Sequence, residues 1–224
     1  MKWVHPALQE PICLDGKKIP SLVIENKALF RSLVCECYDA VEGCKTDIVL
    51  SEGEKLLDAP KNMEIIGDFV RFDINKKTLL SKVLAEMERA AVSPEHYVKT
   101  GELLAMLQGA LEDWSFSLPC EVVFSKLSVS MLLKAAGVEL KSDYEGAWGE
   151  AEKIVDYMEL VRELDRNKLF VTVNMRAFFE DAVIDAFQRT LLSHELQVLM
   201  VEPYAAPLLP CEKRITVDQD LCEF

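Results

Sequence analysis

Two carboxylates and a lysine are the first residues whose order suggests chemistry. Pro119-Cys120-Glu121 precedes Val138-Glu139-Leu140-Lys141 in this chain of 224 residues. A metal-dependent nuclease needs such a set, with acids to hold the ion and a lysine near the attacking water. On that reading Glu121, Glu139 and Lys141 form the centre. The span between them, however, reads as a helix rather than a β-hairpin core, and so short a pattern also arises by chance.

Other candidates carry less. The seven cysteines, Cys13, Cys35, Cys37, Cys44, Cys120, Cys211 and Cys222, are an odd set with irregular spacing. Cys35-Glu36-Cys37 with Cys44 hints at zinc, but no CxxC pair and no nearby histidine completes four ligands. Reduced, helix-packed thiols are the expectation. His5, His96 and His194 are too isolated along the chain to suggest a triad. The nine glycines are scattered, and Gly16-Lys17-Lys18 lacks the upstream glycine of a phosphate-binding loop, so nucleotide hydrolysis is not expected. Asn174 and Glu202 fall at the ends of two predicted strands, where open α/β sheets bind ligands. Polar residues also end strands with no ligand in view.

The elements that must position these residues follow from periodicity. Ile12 to Leu14 and Ser21 to Glu25 read as strand, turn, strand around Asp15-Gly16. Asn26 caps a helix with apolar positions Leu29, Phe30, Leu33, Val34 and Cys37. A strand is expected at 47–50 and an extended stretch at 63–74. From Lys76 the period turns helical, with a stripe of Leu79, Leu80, Val83, Leu84 and Met87 that Ser93-Pro94 interrupts. A second helix carries Leu103, Leu107, Leu111 and Trp114, and a third runs from Ser128 to Ala136 and stops at Gly137. These three form one helical extension. A longer helix, 148–164, buries Ala151, Ile154, Val155, Met158 and Val161. Leu169 to Val173, a helix over 177–193 and Val198 to Val201 then make a right-handed βαβ crossover in a parallel sheet. The fold class is α/β with an inserted helical part.

Composition sets the limits. Half the residues are apolar and 28% are charged, the balance of a chain that folds on its own. No run approaches the roughly 18 apolar residues of a membrane helix, and Met1 to Pro6 lacks the apolar stretch of a secretory signal, so a cytoplasmic location and no membrane partner are expected. The net charge of −13 argues against general coating of nucleic acid, which depends on Lys and Arg displacing counterions. Any DNA contact must be local.

The ordered combination of several segments is more specific than any of them alone. These are Leu8-Gln9-Glu10-Pro11, Phe72-Asp73-Ile74-Asn75, and Leu132-Leu133-Lys134-Ala135-Ala136-Gly137-Val138. They continue with Asn167-Lys168-Leu169-Phe170-Val171-Thr172-Val173-Asn174, Leu199-Met200-Val201-Glu202-Pro203, and the stretch from Arg214 to Cys222. Together the chain resembles the short form of the type II-A CRISPR-associated adaptation proteins known as the Csn-two family. The resemblance implies an α/β head related to P-loop ATPases but without their Walker motifs, formed by 1–75 and 143–224, and an α-helical leg, 76–142. It also implies a non-enzymatic homotetrameric ring whose lysine-lined hole accepts double-stranded DNA ends, with calcium ordering the leg. Such rings assist spacer acquisition beside the adaptation integrase and the RNA-guided effector nuclease. Similar proteins carry several acids just before the third leg helix. Here Glu121 remains as the metal candidate, while Val123, Ser125 and Lys126 occupy neighbouring positions.

Charge selects the DNA-facing stretch. Between Ser115 and Lys141 the bases Lys126, Lys134 and Lys141 outnumber Glu121 and Glu139, whereas 142–165 holds eight acids against Lys153 and Arg162. Lys76, Lys77 and Lys82 join the first group at the entry to the leg. Three functions remain open on sequence: a DNA-end clamp, a metal-dependent nuclease, and a ring that docks adaptation proteins without binding DNA.

Overall fold

The computed structural model describes residues 1–141, 144–166 and 168–224. The expected boundary at 142/143 and Asn167 of the C-terminal motif lie outside the described residues. The chain divides into two compact units, Met1–Ile74 with Ser142–Phe224, and Asn75–Lys141.

The larger unit holds two sheets. Strands β1 (Lys2–Val4), β2 (Ile12–Cys13), β4 (Val49–Glu52) and β5 (Lys55–Leu57) pair in the order β2-β1-β4-β5, antiparallel throughout. Strands β3 (Ile19–Ile24), β6 (Met63–Ile66), β7 (Leu169–Val173), β8 (Gln197–Glu202) and β9 (Glu212–Val217) form a parallel sheet, ordered β6-β7-β8-β3-β9. All six residues of β3 are buried, as befits a central strand covered on both faces. Pro20 is tolerated there because pairing with β8 begins only at Ser21.

Helix α1 (Lys27–Glu42) starts where Asn26 accepts hydrogen bonds from the Ala28 and Leu29 amides, both 3.1 Å, and stops at Gly43 in the left-handed conformation, φ 84°. It is followed by the single-turn α2 (Ala59–Asn62). Leu33, Cys37 and Ala40 pack with Trp3, Ile12 and Leu50 of the small sheet and with Leu22, Leu169, Leu199 and Val201 of the large one. The alternate residues point the other way, and Gln188 of α7 (Asp181–Ser193) reaches the Met200 sulfur at 3.4 Å. Helix α6 (Gly146–Leu164) buries the expected Ala151, Ile154, Val155, Met158 and Val161.

The smaller unit contains α3 (Lys77–Ala91), α4 (Tyr97–Ser115) and α5 (Val129–Ala136). Ser128 caps α5 by accepting from the Met131 amide at 3.3 Å, and Gly137 ends it with φ 65°. At the base, the Asn75 side chain accepts from Leu140 N–H at 2.6 Å and donates to its carbonyl at 3.4 Å. This pair closes the unit between its entry and its exit. None of the described helices is long and apolar enough to cross a membrane.

Several readings change. The first two expected strands are no hairpin, because β2 joins the antiparallel sheet and β3 the parallel one. The strand expected at 47–50 is β4, two residues later. Only 63–66 of the expected extended stretch is strand, after which Phe69, Phe72 and Ile74 enter the core from an irregular segment. Gly67 opens that segment, and a Cβ there would meet the Tyr38 hydroxyl at 2.8 Å. The helix expected from 177 begins at Asp181, after a 3-10 turn at Met175–Ala177. The stripe of α4 has the expected spacing but no cover, since α4 buries no residue.

Candidate nucleic-acid interface

All six candidate lysines fall in 75–141. Lys76 stands immediately before α3, and Lys77 and Lys82 lie on it. Lys126 lies in the segment leading to α5, Lys134 in the last turn of α5, and Lys141 at the end of the unit. Lys77, Lys82, Lys126, Lys134 and Lys141 are exposed, while Lys76 is half-buried. Lys134 sits at the negative end of a helix dipole, which favours its charge.

Two cavities organise this surface. One of about 560 Å³ runs along α4 from Tyr97 to Gln108 and is closed by Lys126, Leu127 and Val129. Leu127 is held there because its amide donates to the Gln108 side chain at 3.2 Å. The other, about 180 Å³, lies between α3 and α5 and is bordered by Ser81, Glu88, Ser130 and Lys134. Lys126 and Lys134 therefore border different cavities of one unit.

The unit holds eight Lys or Arg and eight Asp or Glu, so it is formally neutral and the remainder of the chain carries the whole −13. Leu79 is its one buried apolar residue. By contrast, 13 of the 23 large exposed apolar side chains among the described residues belong to it, including Trp114 (70% exposed) and Phe116 (83%). Its surface is thus formally neutral and rich in exposed apolar groups.

Glu121 and Glu139 are both exposed, on either side of α5. No group of three or more His, Cys, Asp or Glu side chains that could hold a metal occurs among the described residues. Among the described residues, Glu121 thus stands without a second acid in a metal-binding group, whereas a hard cation takes six to eight oxygens. The cysteines also fail as a zinc set. Cys37 is buried in the core, which pushes its thiol up to about 12, with Glu36 adding to the shift, whereas Cys35 and Cys44 are exposed. A metal needs the thiolate.

At the carboxyl ends of the parallel strands, Glu202 is fully buried. Desolvation raises it to about 7, although the Arg176 amide, which donates to it at 3.3 Å, and the Arg176 charge pull the other way. Asn174 adopts a left-handed conformation, φ 58°, to turn the chain into the 3-10 segment. The periodicity of the sequence missed Arg176 and Glu212, which form a buried ion pair at 3.2 Å beside these strand ends. Their spacing carries no signal, since the partners are brought together by the sheet.

The place of a phosphate-binding loop is also visible. That motif joins a parallel strand to the next helix through a glycine-rich turn. Between β3 and α1 stand only Glu25 and Asn26, and Asn26 already caps the helix. The Asn26 amide group donates to the Gln219 carbonyl at 2.9 Å, and Gln219 donates to the Glu25 carbonyl at 2.7 Å. The turn is closed by the chain itself.

Among solved structures, the chain is similar to Stu0660 of Streptococcus thermophilus, known from a crystal structure. The TM-score is 0.57 and the identity 14%, over 91% of this chain and 69% of that one. That likeness speaks for the fold: an α/β part plus a helical part. The family model described as CRISPR-associated protein (Cas_Csn2) matches residues 38–221. With most of its length matched in this way, the chain belongs to the Csn2 family of CRISPR-associated proteins and has a role in CRISPR adaptation.

Proposed function

We propose that this protein is a non-enzymatic clamp for the ends of double-stranded DNA, built as a homotetrameric ring. One contrast carries the reading: a formally neutral, lysine-bearing unit with an uncovered apolar surface, in a chain whose remaining residues hold the entire −13. The apolar surface supports self-association, because α4 has spacing for a packed stripe yet buries no residue. The charge supports placing the DNA against the lysines. A duplex that avoids the acidic unit meets Lys126, Lys134 and Lys141, joined by Lys76, Lys77 and Lys82. Four copies around a hole add their potentials, and contacts of this kind bind phosphates without reading bases. Rings of this kind would act beside the adaptation integrase and the RNA-guided effector nuclease. Glu121 is the residue through which calcium would touch this unit, with backbone carbonyls and waters as the remaining oxygens.

The test is Lys126→Glu with Lys134→Glu. Duplex binding is expected to vanish at moderate salt while solution mass is unchanged, with Lys126→Gln and Lys134→Gln intermediate and the salt dependence flatter. Linear DNA should bind better than relaxed circles, which a preformed ring cannot thread. Unchanged binding in the Glu variants rejects the DNA path. Cleavage that disappears with Glu139→Ala favours the nuclease, and absence of any duplex shift at low salt favours a scaffold.

A further inference from the structure

Two buried polar atoms at the carboxyl ends of β7 and β8 have no hydrogen-bond partner among the described residues, and they are of opposite kind. Asn174 Oδ1 is an acceptor without a donor, and Arg176 Nε is a donor without an acceptor. Buried groups in this condition are rare enough to need a reason. Both flank one carboxyl. Asn174 follows Val173, which is registered on Val201, and its amide donates to the Val201 carbonyl at 2.8 Å, so it stands beside Glu202. Arg176 meets the same carboxyl through its backbone, with the amide 3.3 and 3.4 Å from the two oxygens.

Glu202 faces Arg176 from the turn after β7 and Glu212 from β9, with Val23 of β3 in register beside it. Arg176 Nη1 donates to Glu212 at 3.2 Å, and its Nη2 donates to Asp181 at 3.2 Å and to the Pro207 carbonyl at 2.9 Å. Arg214 Nε donates to Glu212 at 3.0 Å. Two guanidiniums thus meet two carboxylates, and the charges balance without Glu202. Because Glu202 is wholly buried, a third carboxylate there is an uncompensated charge, and desolvation holds its proton up to about 7. That proton is the donor that Asn174 Oδ1 lacks. Once it passes to water, the carboxylate is the acceptor that Arg176 Nε lacks, and it stands against Glu212 as a like charge.

We propose that Glu202 is a proton-operated switch between two partners, Asn174 when protonated and Arg176 when ionised, and that it governs how firmly the turn 203–211 is held. In the protonated state Arg176 pins that turn through the Pro207 carbonyl, and the Leu209 amide donates to Glu212 at 3.2 Å. In the ionised state the guanidinium swings towards Glu202, its bond to Pro207 is lost and the turn opens. The Arg176–Pro207 bond in the structure is that of the protonated state. The inference uses none of the lysines and stands apart from the DNA reading.

The full chain is titrated from about pH 5.5 to about 8.5. Infrared spectroscopy is expected to show a buried protonated carboxyl at the acid end, lost towards the alkaline end and absent from Glu202→Gln. Over the same range, hydrogen exchange of 203–211, corrected for the intrinsic rate, should accelerate at least about fivefold in the wild type. It should stay level in Glu202→Gln, whose amide keeps donating to Asn174. Asn174→Gly keeps the left-handed backbone, φ 58°, and removes the acceptor, so the carboxyl should be lost at lower pH. This variant carries the test if Glu202→Gln does not fold. The proposal is overturned if the wild type lacks such a carboxyl at the acid end or keeps it throughout. It is also overturned if exchange of the turn is level in the wild type or accelerates equally in Glu202→Gln, or if Asn174→Gly leaves the titration where it was.

Discussion

In the α/β unit Trp3, Tyr157, Phe170 and Phe187 are wholly buried, whereas in the helical unit Trp114 and Phe116 lie open and only Leu79 is covered. Both parts use amphipathic helices with regular caps, as Asn26 and Gly43 show for α1 and Ser128 and Gly137 for α5. Helical periodicity therefore reports which face is apolar, not whether anything covers it. The first unit completes its cover within one chain, with α1 on one face of the parallel sheet and α7 on the other. The second has three helices, and the longest of them, α4, buries no residue.

The contrast is sharpest in mutational cost. Leu199→Ala in β8 is expected to lower unfolding free energy by about 3–5 kcal/mol in urea titration, the range for a large apolar side chain removed from a close-packed core. A loss below about 1 kcal/mol would mean that the sheet is not the self-sufficient core described here.

Next comes the acidity of Glu202. Its carboxyl is raised to about 7 from an ordinary 4.5, so the folded state holds a proton that the unfolded chain releases. Its contribution is fully present below about 4.5 and is lost as pH climbs to about 7, on the order of 3 kcal/mol in total. Glu202→Gln should keep its melting temperature between pH 5 and 8 where the wild type declines. Parallel pH profiles for the two proteins would place the titration elsewhere.

A smaller effect is expected in the helical unit. Val98→Glu with Met106→Glu, both on open positions of α4, should weaken self-association about tenfold or more in sedimentation while leaving the melting of the α/β unit within about 0.5 kcal/mol. Unchanged mass would break the proposal that α4 meets another copy. The smallest change is Gly137→Ala, which forces an alanine into φ 65° and should cost about 1 kcal/mol, seen as a modest fall in helicity on warming.

What the sequence made legible depended on whether neighbours along the chain decide the outcome. Leu169 to Val173 and Val198 to Val201 are apolar at nearly every position, and the crossover between them follows from that alone. Ser128 and Gly137 bracket α5 through local hydrogen bonds and backbone sterics. β9 could not be read this way, since it opens on Glu212, a buried acid whose long-range partner Arg176 is brought by another turn, beside its strand neighbour Arg214. β1, β2, β4 and β5, two to four residues each, are too short for a period to form. The candidate lysines are legible as charges but not as a site. An exposed lysine looks the same in sequence whether it solvates a helix or lines a hole.

The order of the parallel sheet has a consequence in time. Strand β3, all six residues of it apolar-packed or buried, finds its partners in β8 and β9, where Ser21 meets Met200 and Ile19 meets Glu212. During synthesis at 5–20 residues per second, β3 therefore leaves the ribosome roughly 10–40 s before either edge can be paired. The helical unit needs no such wait, because α3, α4 and α5 are each local in sequence and Asn75 meets Leu140 within the same unit. The nascent chain thus carries an early, unpaired, aggregation-prone strand beside helices already formed, and holding that strand until β8 and β9 emerge is a task suited to a chaperone.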